Sequence, residues 1–194
     1  MKVLASRIGG LPEEVLADDR LLRLSRWGER LSRLGLAPGA SGNLSIRVDQ
    51  GFLITRTEVE LAAIHPEDWV LVTGLARQPD GVLGVTFLGE STPSRDSFVH
   101  GTVYGRVPAA GSIFHLHDRD MLLKANRLGV PSTDRYHPAG TAESVAEIER
   151  LLTRSPSVDY FVLVEHGVVA WAADLDAAGH LVEQWHERAE EANG

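Results

Sequence analysis

The stretch Phe114-His115-Leu116-His117 places two imidazoles two residues apart. On a strand, residues i and i+2 share one face, so the pair would stand side by side. Their spacing is then set before any ion arrives, which suits a divalent metal. An ordinary strand end can carry the same pair, so its meaning depends on context. A second signal is Glu165-His166-Gly167, which follows the apolar run Tyr160-Phe161-Val162-Leu163-Val164. That run is too apolar for a surface strand, so His166 is expected at the end of a buried one. Gly167 would let a backbone or a ligand approach closely. Alone, His166 reads as a hydrogen-bonded structural residue. Joined to the pair, it completes three neutral imidazoles, the ligand set of a zinc site with an open position.

Two further segments carry polar groups suited to chemistry. In Thr92-Pro93-Ser94-Arg95-Asp96, Asp96 falls in the first turn of an expected helix. There it either interacts with the helix dipole or serves as an acid/base beside the metal. Gly39-Ala40-Ser41-Gly42-Asn43 is a loop whose small residues expose backbone N–H groups able to nest an anion. His100 lies one turn after Asp96, placed to orient it. His137, beside Tyr136, sits in a polar connection over 129–140 that reaches a site or a partner. His65 belongs to a turn, and His180 and His186 are expected on a partly solvated helix face.

These residues must be positioned by regular elements. Leu21, Leu24, Trp27, Leu31 and Leu34 predict a helix over 13–34, with Pro12 at its start and Gly35 at its end. Residues 44–48 and 51–55 read as an antiparallel hairpin, and 69–72 as a third strand. The Gly-rich stretch 74–92 gives no clear element. Helices are predicted over 94–106, 118–128, 141–154 and from Asp174 onward, with strands at 112–117, 160–164 and 168–171. Asp174 is a good N-cap, and Ala178, Leu181, Val182 and Trp185 face inward. Hairpins mixed with helices predict a largely antiparallel sheet covered by helices. No repeat or linker divides residues 1–194, so one domain is expected.

Composition narrows the function classes. The 194 residues are 43% hydrophobic and 24% charged, as in an ordinary globular protein. A formal net charge of −8 argues against a nucleic-acid partner. There is no cysteine, which excludes disulfides, thiolate metal ligands and a thiol nucleophile. No apolar run approaches the roughly 18 residues of a membrane span. The start, Met1-Lys2-Val3-Leu4-Ala5-Ser6-Arg7, lacks the apolar core of a signal peptide. A cytoplasmic protein acting on a small molecule is the expectation.

Taken in order, the motifs resemble one family. Gly39 to Ser45, then Leu53-Ile54-Thr55, Pro93-Ser94-x-Asp96 with His100 and Tyr104, His115-Leu116-His117 and His166-Gly167 are similar to the class II aldolase/adducin family over roughly residues 15–190. The resemblance implies an α/β fold, a three-layer α/β/α sandwich around a central, largely antiparallel sheet. It implies zinc held by His115, His117 and His166, and a homotetramer with sites at subunit interfaces. It implies Asp96 as acid/base, one methylene shorter than the family's Glu, and with a raised pKa. It implies an anion site from Gly42, Asn43, Thr57 and Ser94. Glu58 stands where Gly is usual and Arg95 where Ser is usual, so the anion site is rebuilt. Arg95 could neutralise Glu58 or grip an anion itself. The implied reaction is C–C cleavage of a sugar-like hydroxy-carbonyl compound through an enediolate, with Tyr136 or His137 protonating the leaving aldehyde. An epimerase, dehydratase or decarboxylase of the same family, or a non-catalytic adducin-like binding protein, remain as alternatives.

Overall fold

The computed structural model describes residues 3–78 and 81–192. Eight strands form one sheet in the order β1-β5-β4-β3-β2-β6-β8-β7. They are β1 (Leu4–Gly9), β2 (Asn43–Val48), β3 (Gly51–Thr55), β4 (Trp69–Arg77), β5 (Leu83–Leu88), β6 (Ser112–Leu116), β7 (Tyr160–Leu163) and β8 (Gly167–Ala172). Every neighbouring pair is antiparallel except β1 with β5. The helices are α1 (Glu13–Leu16), α2 (Asp19–Arg33), α3 (Ser97–Arg106), α4 (Arg119–Lys124), α5 (Ala142–Arg154) and α6 (Leu175–Glu191).

Strand alternation sorts the core into two layers. Leu44, Ile46, Leu53, Phe114, Leu116, Tyr160, Val162, Val168 and Ala170 pack with apolar residues of α2, α4 and α6. Phe52, Ile54, Ile113, Phe161, Leu163 and Val169 face the other way and pack with α3 and α5. The result is the expected three-layer α/β/α arrangement. In α2, Leu21, Leu24, Trp27 and Leu31 are buried at steps of three and four, the stripe of an amphipathic helix. Burying each such leucine stabilises by roughly 2 kcal/mol.

Several boundaries differ from the sequence-based expectation. The helix predicted over 13–34 is two helices, because Asp18 leaves the helical conformation and caps α2 by accepting from the Arg20 N–H. The segment after residue 74 is ordered: β4 runs on to Arg77 past an irregularity between Val72 and Gly74, and β5 pairs back onto it. β1 adds a parallel edge strand beside β5. α3 begins at Ser97, which leaves Asp96 at its N-cap position without a side-chain capping bond. α4 ends at Lys124, and the chain continues in turns to Gly129. His186 is buried against Asp118 at 2.9 Å rather than partly solvated, because α6 packs against α4 where Asp118 caps it.

Candidate metal and substrate site

His115 lies in β6 on the sheet face that carries α3, and His117 follows just past the strand end. The His117 N–H donates to the Leu36 carbonyl at 2.8 Å, which ties the strand end to the segment after α2. His166 sits in the tight turn between β7 and β8, where its N–H donates to the Leu163 carbonyl at 3.0 Å. The preceding Glu165 adopts φ 58°, a left-handed backbone unusual for a side chain with a Cβ. β6 pairs with β8, so the turn is brought beside the histidine pair. One nitrogen from each of His115, His117 and His166 lies within 4.8 Å of the others.

Gly167 makes this convergence possible. A Cβ there would lie 2.4 Å from the Leu116 carbonyl oxygen and 2.8 Å from Cε1 of His115. The His166-Gly167 step is therefore a steric requirement as well as a turn signal. Gly42 acts similarly on the other side: at φ +78°, a Cβ would stand 2.9 Å from the His115 carbonyl oxygen.

The hydrogen-bond pattern leaves buried acceptors unsatisfied beside the three histidines. The His115 Nδ1–H donates to the Val168 carbonyl at 2.9 Å, since a carbonyl can only accept. That fixes the tautomer and leaves Nε2 as a bare acceptor, buried and without a partner. Asp96 Oδ2 lies 3.7 Å from that nitrogen. It accepts from Asn43 Nδ2 at 2.9 Å, and the same amide donates to Ser94 Oγ at 3.1 Å. Asn43 is the register partner of His115, which is how β2 delivers the amide. Asp96 Oδ1 and Asn43 Oδ1 are also buried without partners. Buried acceptors left unsatisfied beside three clustered imidazoles form an arrangement that a cation would relieve.

Burial pushes the His115 imidazole down to about 4, assisted by His166 and His117 and opposed by Asp96. Burial also lowers His117. Both rings are therefore neutral near pH 7, the form that binds a metal. Asp96 departs from the raised pKa expected of it. Burial pushes its carboxyl up, but His115, His166 and His100 together with the Asn43 amide hold it below the usual carboxylate range. His100 does not bond Asp96 through its ring. Its Nδ1 pairs with Ser45 Oγ at 2.7 Å, and Ser45 Oγ meets the Tyr104 hydroxyl at 2.8 Å.

A cleft of about 320 Å³ opens onto these groups. His117, His166 and Asp96 line its floor, with Gly42, Asn43 and Ser94 beside them. Thr57, Arg95 and Tyr136 complete the predicted set. The fully buried His115 ring lies behind. His137 is not brought into this cleft. Its Nε2 lies 3.8 Å from the buried Glu147 carboxylate, and it lines a small cavity of about 10 Å³ on the far side of His166. Arg56 is the residue the sequence reading passed over. Its Nε donates to Asp68 at 2.5 Å and its Nη1 to the Thr57 and Glu58 carbonyls, fixing the loop that carries both residues. A lone arginine between two threonines at a strand end was the available signal. Glu58 lines the same cleft at φ 56°, and no ion pair joins it to Arg95 among the described residues.

Residues 23–192 match the model of the class II aldolase and adducin N-terminal domain. The chain belongs to the class II aldolase and adducin family. A methylthioribulose-1-phosphate dehydratase from Methylococcus capsulatus is 25% identical, over 84% of this chain and 88% of its own length. A 3-oxo-tetronate 4-phosphate decarboxylase from Cupriavidus necator is also 25% identical, over 86% of this chain and 80% of its own. Among solved structures, an L-fuculose-1-phosphate aldolase from Thermus thermophilus superposes with a TM-score of 0.69 at 24% identity. It covers 90% of this chain and 93% of its own. Class II aldolase relatives of this chain thus include a dehydratase and a decarboxylase, and the fold is the one they share with the aldolases.

Proposed function

We propose that this class II aldolase family member is a zinc-dependent lyase. It cleaves or forms a C–C bond in a small, sugar-like hydroxy-carbonyl compound. The observation that carries this is the buried, unpartnered Nε2 of His115, grouped with His117 and His166 beside Asp96 just behind the floor of an open cleft. His115, His117 and His166 would hold the ion. Bound there, zinc supplies Lewis-acid chemistry, drawing electron density from a carbonyl and stabilising the negative charge that develops next to it.

The chain's own residues do the rest. Asp96 accepts and returns the proton through Oδ1, while Oδ2 stays held by Asn43. The hydroxyls of Ser94 and Thr57 and the Arg95 guanidinium orient the polar end of the substrate, with Gly42 leaving room for it. Tyr136, which is 48% exposed in the cleft lining, takes the proton of the hydroxyl that becomes the aldehyde carbonyl on cleavage, and returns it on bond formation. His137, turned toward Glu147, supports the 129–140 connection from behind. Residues 1–194 act as one class II aldolase/adducin-like domain, in a cytoplasmic homotetramer.

A second reading has specific support. The sequence relatives named above are a dehydratase and a decarboxylase, and both reactions also need a stabilised anion next to a carbonyl. Elemental mass spectrometry and a cleavage screen test the proposal together. About one zinc per chain is expected, lost in the His115→Ala/His117→Ala variant. Asp96→Asn should keep the zinc and lose about a thousandfold in turnover. Full turnover in that variant, or no metal uptake by the native protein, overturns the reading. An aldehyde and a ketone as products mark a lyase, whereas release of water or carbon dioxide marks the alternative.

A further inference from the structure

The cleft's rim is built unlike its floor. Three groups there carry charge: Arg56, Glu58 and Arg95. Arg56 is consumed by Asp68 and by two carbonyls of its own loop. Arg95 and Glu58 are exposed, and among the described residues neither side chain has a hydrogen bond or an ion pair. Four backbone donors nearby are also taken. The N–H of Thr57 donates to Thr92, that of Ser94 to Thr55 and that of Ser97 to Ser94. The Asp96 N–H donates to Ser94 Oγ.

A phosphate dianion needs a surplus of donors and positive charge. In side chains, this rim offers one free guanidinium, hydroxyls on Ser94 and Thr57, and one carboxylate. Glu58 holds that place in a left-handed conformation, φ 56°, that a side chain seldom adopts. One cationic donor and one anionic acceptor on the same rim suit a group that both donates and accepts, which is a sugar hydroxyl. We infer that Glu58 and Arg95 select an unphosphorylated polyhydroxy carbonyl compound, Glu58 accepting from its terminal hydroxyls and rejecting a phosphate ester there. This deepens, and rests on, the proposed zinc site.

The test uses zinc-loaded protein and two hydroxamate chelators of equal length, one ending in a hydroxyl and one in a phosphate ester. Isothermal titration calorimetry gives the ratio of their Kd values. The hydroxyl-ended probe should bind at least as tightly as the phosphate-ended one. Glu58→Gln, which keeps the backbone strain but removes the charge, should move the ratio about tenfold toward phosphate. A thermal melt checks that this variant is folded. A phosphate-ended probe bound more than tenfold tighter by the native protein overturns the inference. So does a Glu58→Gln ratio that does not move. Altered sedimentation of Glu58→Gln with an unmoved ratio would make Glu58 a subunit contact, and overturns it too. Binding of neither probe, with no zinc retained, would instead bring down the zinc site itself.

Discussion

Gly167 is the residue on which the convergence of the three histidines depends most directly. Any Cβ there meets the Leu116 carbonyl oxygen at 2.4 Å, and a backbone atom cannot swing away as a side chain can. Gly167→Ala should therefore destabilise the protein by about 3 kcal/mol. It should also weaken zinc binding more than tenfold, read by calorimetric titration of the folded variant. His166-Gly167 was legible in the sequence as a strand end whose glycine admits a close approach, but which backbone approaches was not, because it comes from another strand. The same limit applies to His100. Its spacing from Asp96 suggested a partnership, yet Ser45, 55 positions away in the chain, takes its ring nitrogen. Burial pushes His100 down to about 3 from its ordinary 6.5, so the folded protein holds it neutral. The unfolded chain binds that proton more readily. This contribution is therefore full above pH 6.5 and is lost as pH falls toward 3, by roughly 1.4 kcal/mol per unit. Denaturant midpoints at pH 7 and pH 4.5 should show the loss, and His100→Asn should flatten it.

Elements with a strong internal pattern were readable, and those defined by their neighbours were not. α6 shows this well. Asp174 was legible as its N-cap, and the carboxylate accepts from the N–H groups of Asp176 and Ala177. Asp174→Ala should lower stability by about 1 kcal/mol, measured by urea denaturation. β1 and β5 went unread for opposite reasons. β1 exposes nearly every side chain, so no apolar alternation marks it. β5 has a glycine near its start and follows a Gly-Pro-rich segment that resembles a loop. The break between α1 and α2 was hidden because Asp18 interrupts an apolar stripe that continues on both sides. Asp96 was recognised at the start of its helix but set three residues too deep in it, since the helix begins at Ser97 and not at Ser94. At the N-cap position it is free to turn toward Asn43 instead of capping.

Across the whole molecule, zinc binding and folding should be linked. An ion that binds only the folded protein stabilises it by about 2.7 kcal/mol at a hundred times its Kd. Zinc should therefore raise the thermal midpoint of the native protein, and a chelator should reverse the rise. The His115→Ala/His117→Ala variant should show neither effect. The family fold was readable from the order of the motifs, because its parts lie far apart in the chain but at fixed places in the sheet. That layout divides the labour by strand. The three clustered histidines come from the end of β6 and the β7–β8 turn, within residues 115–166, held by sheet hydrogen bonds. The rim comes from the loops around residues 57 and 95, on the far side of β2. Heritable change can therefore work on the two halves separately. On the proposed function, substitutions at Thr57, Glu58 and Arg95 would alter which molecules bind, while the strands that carry the three histidines are left as they were. A lineage with this sheet would then change its substrate by mutation at three loop positions and keep its reaction.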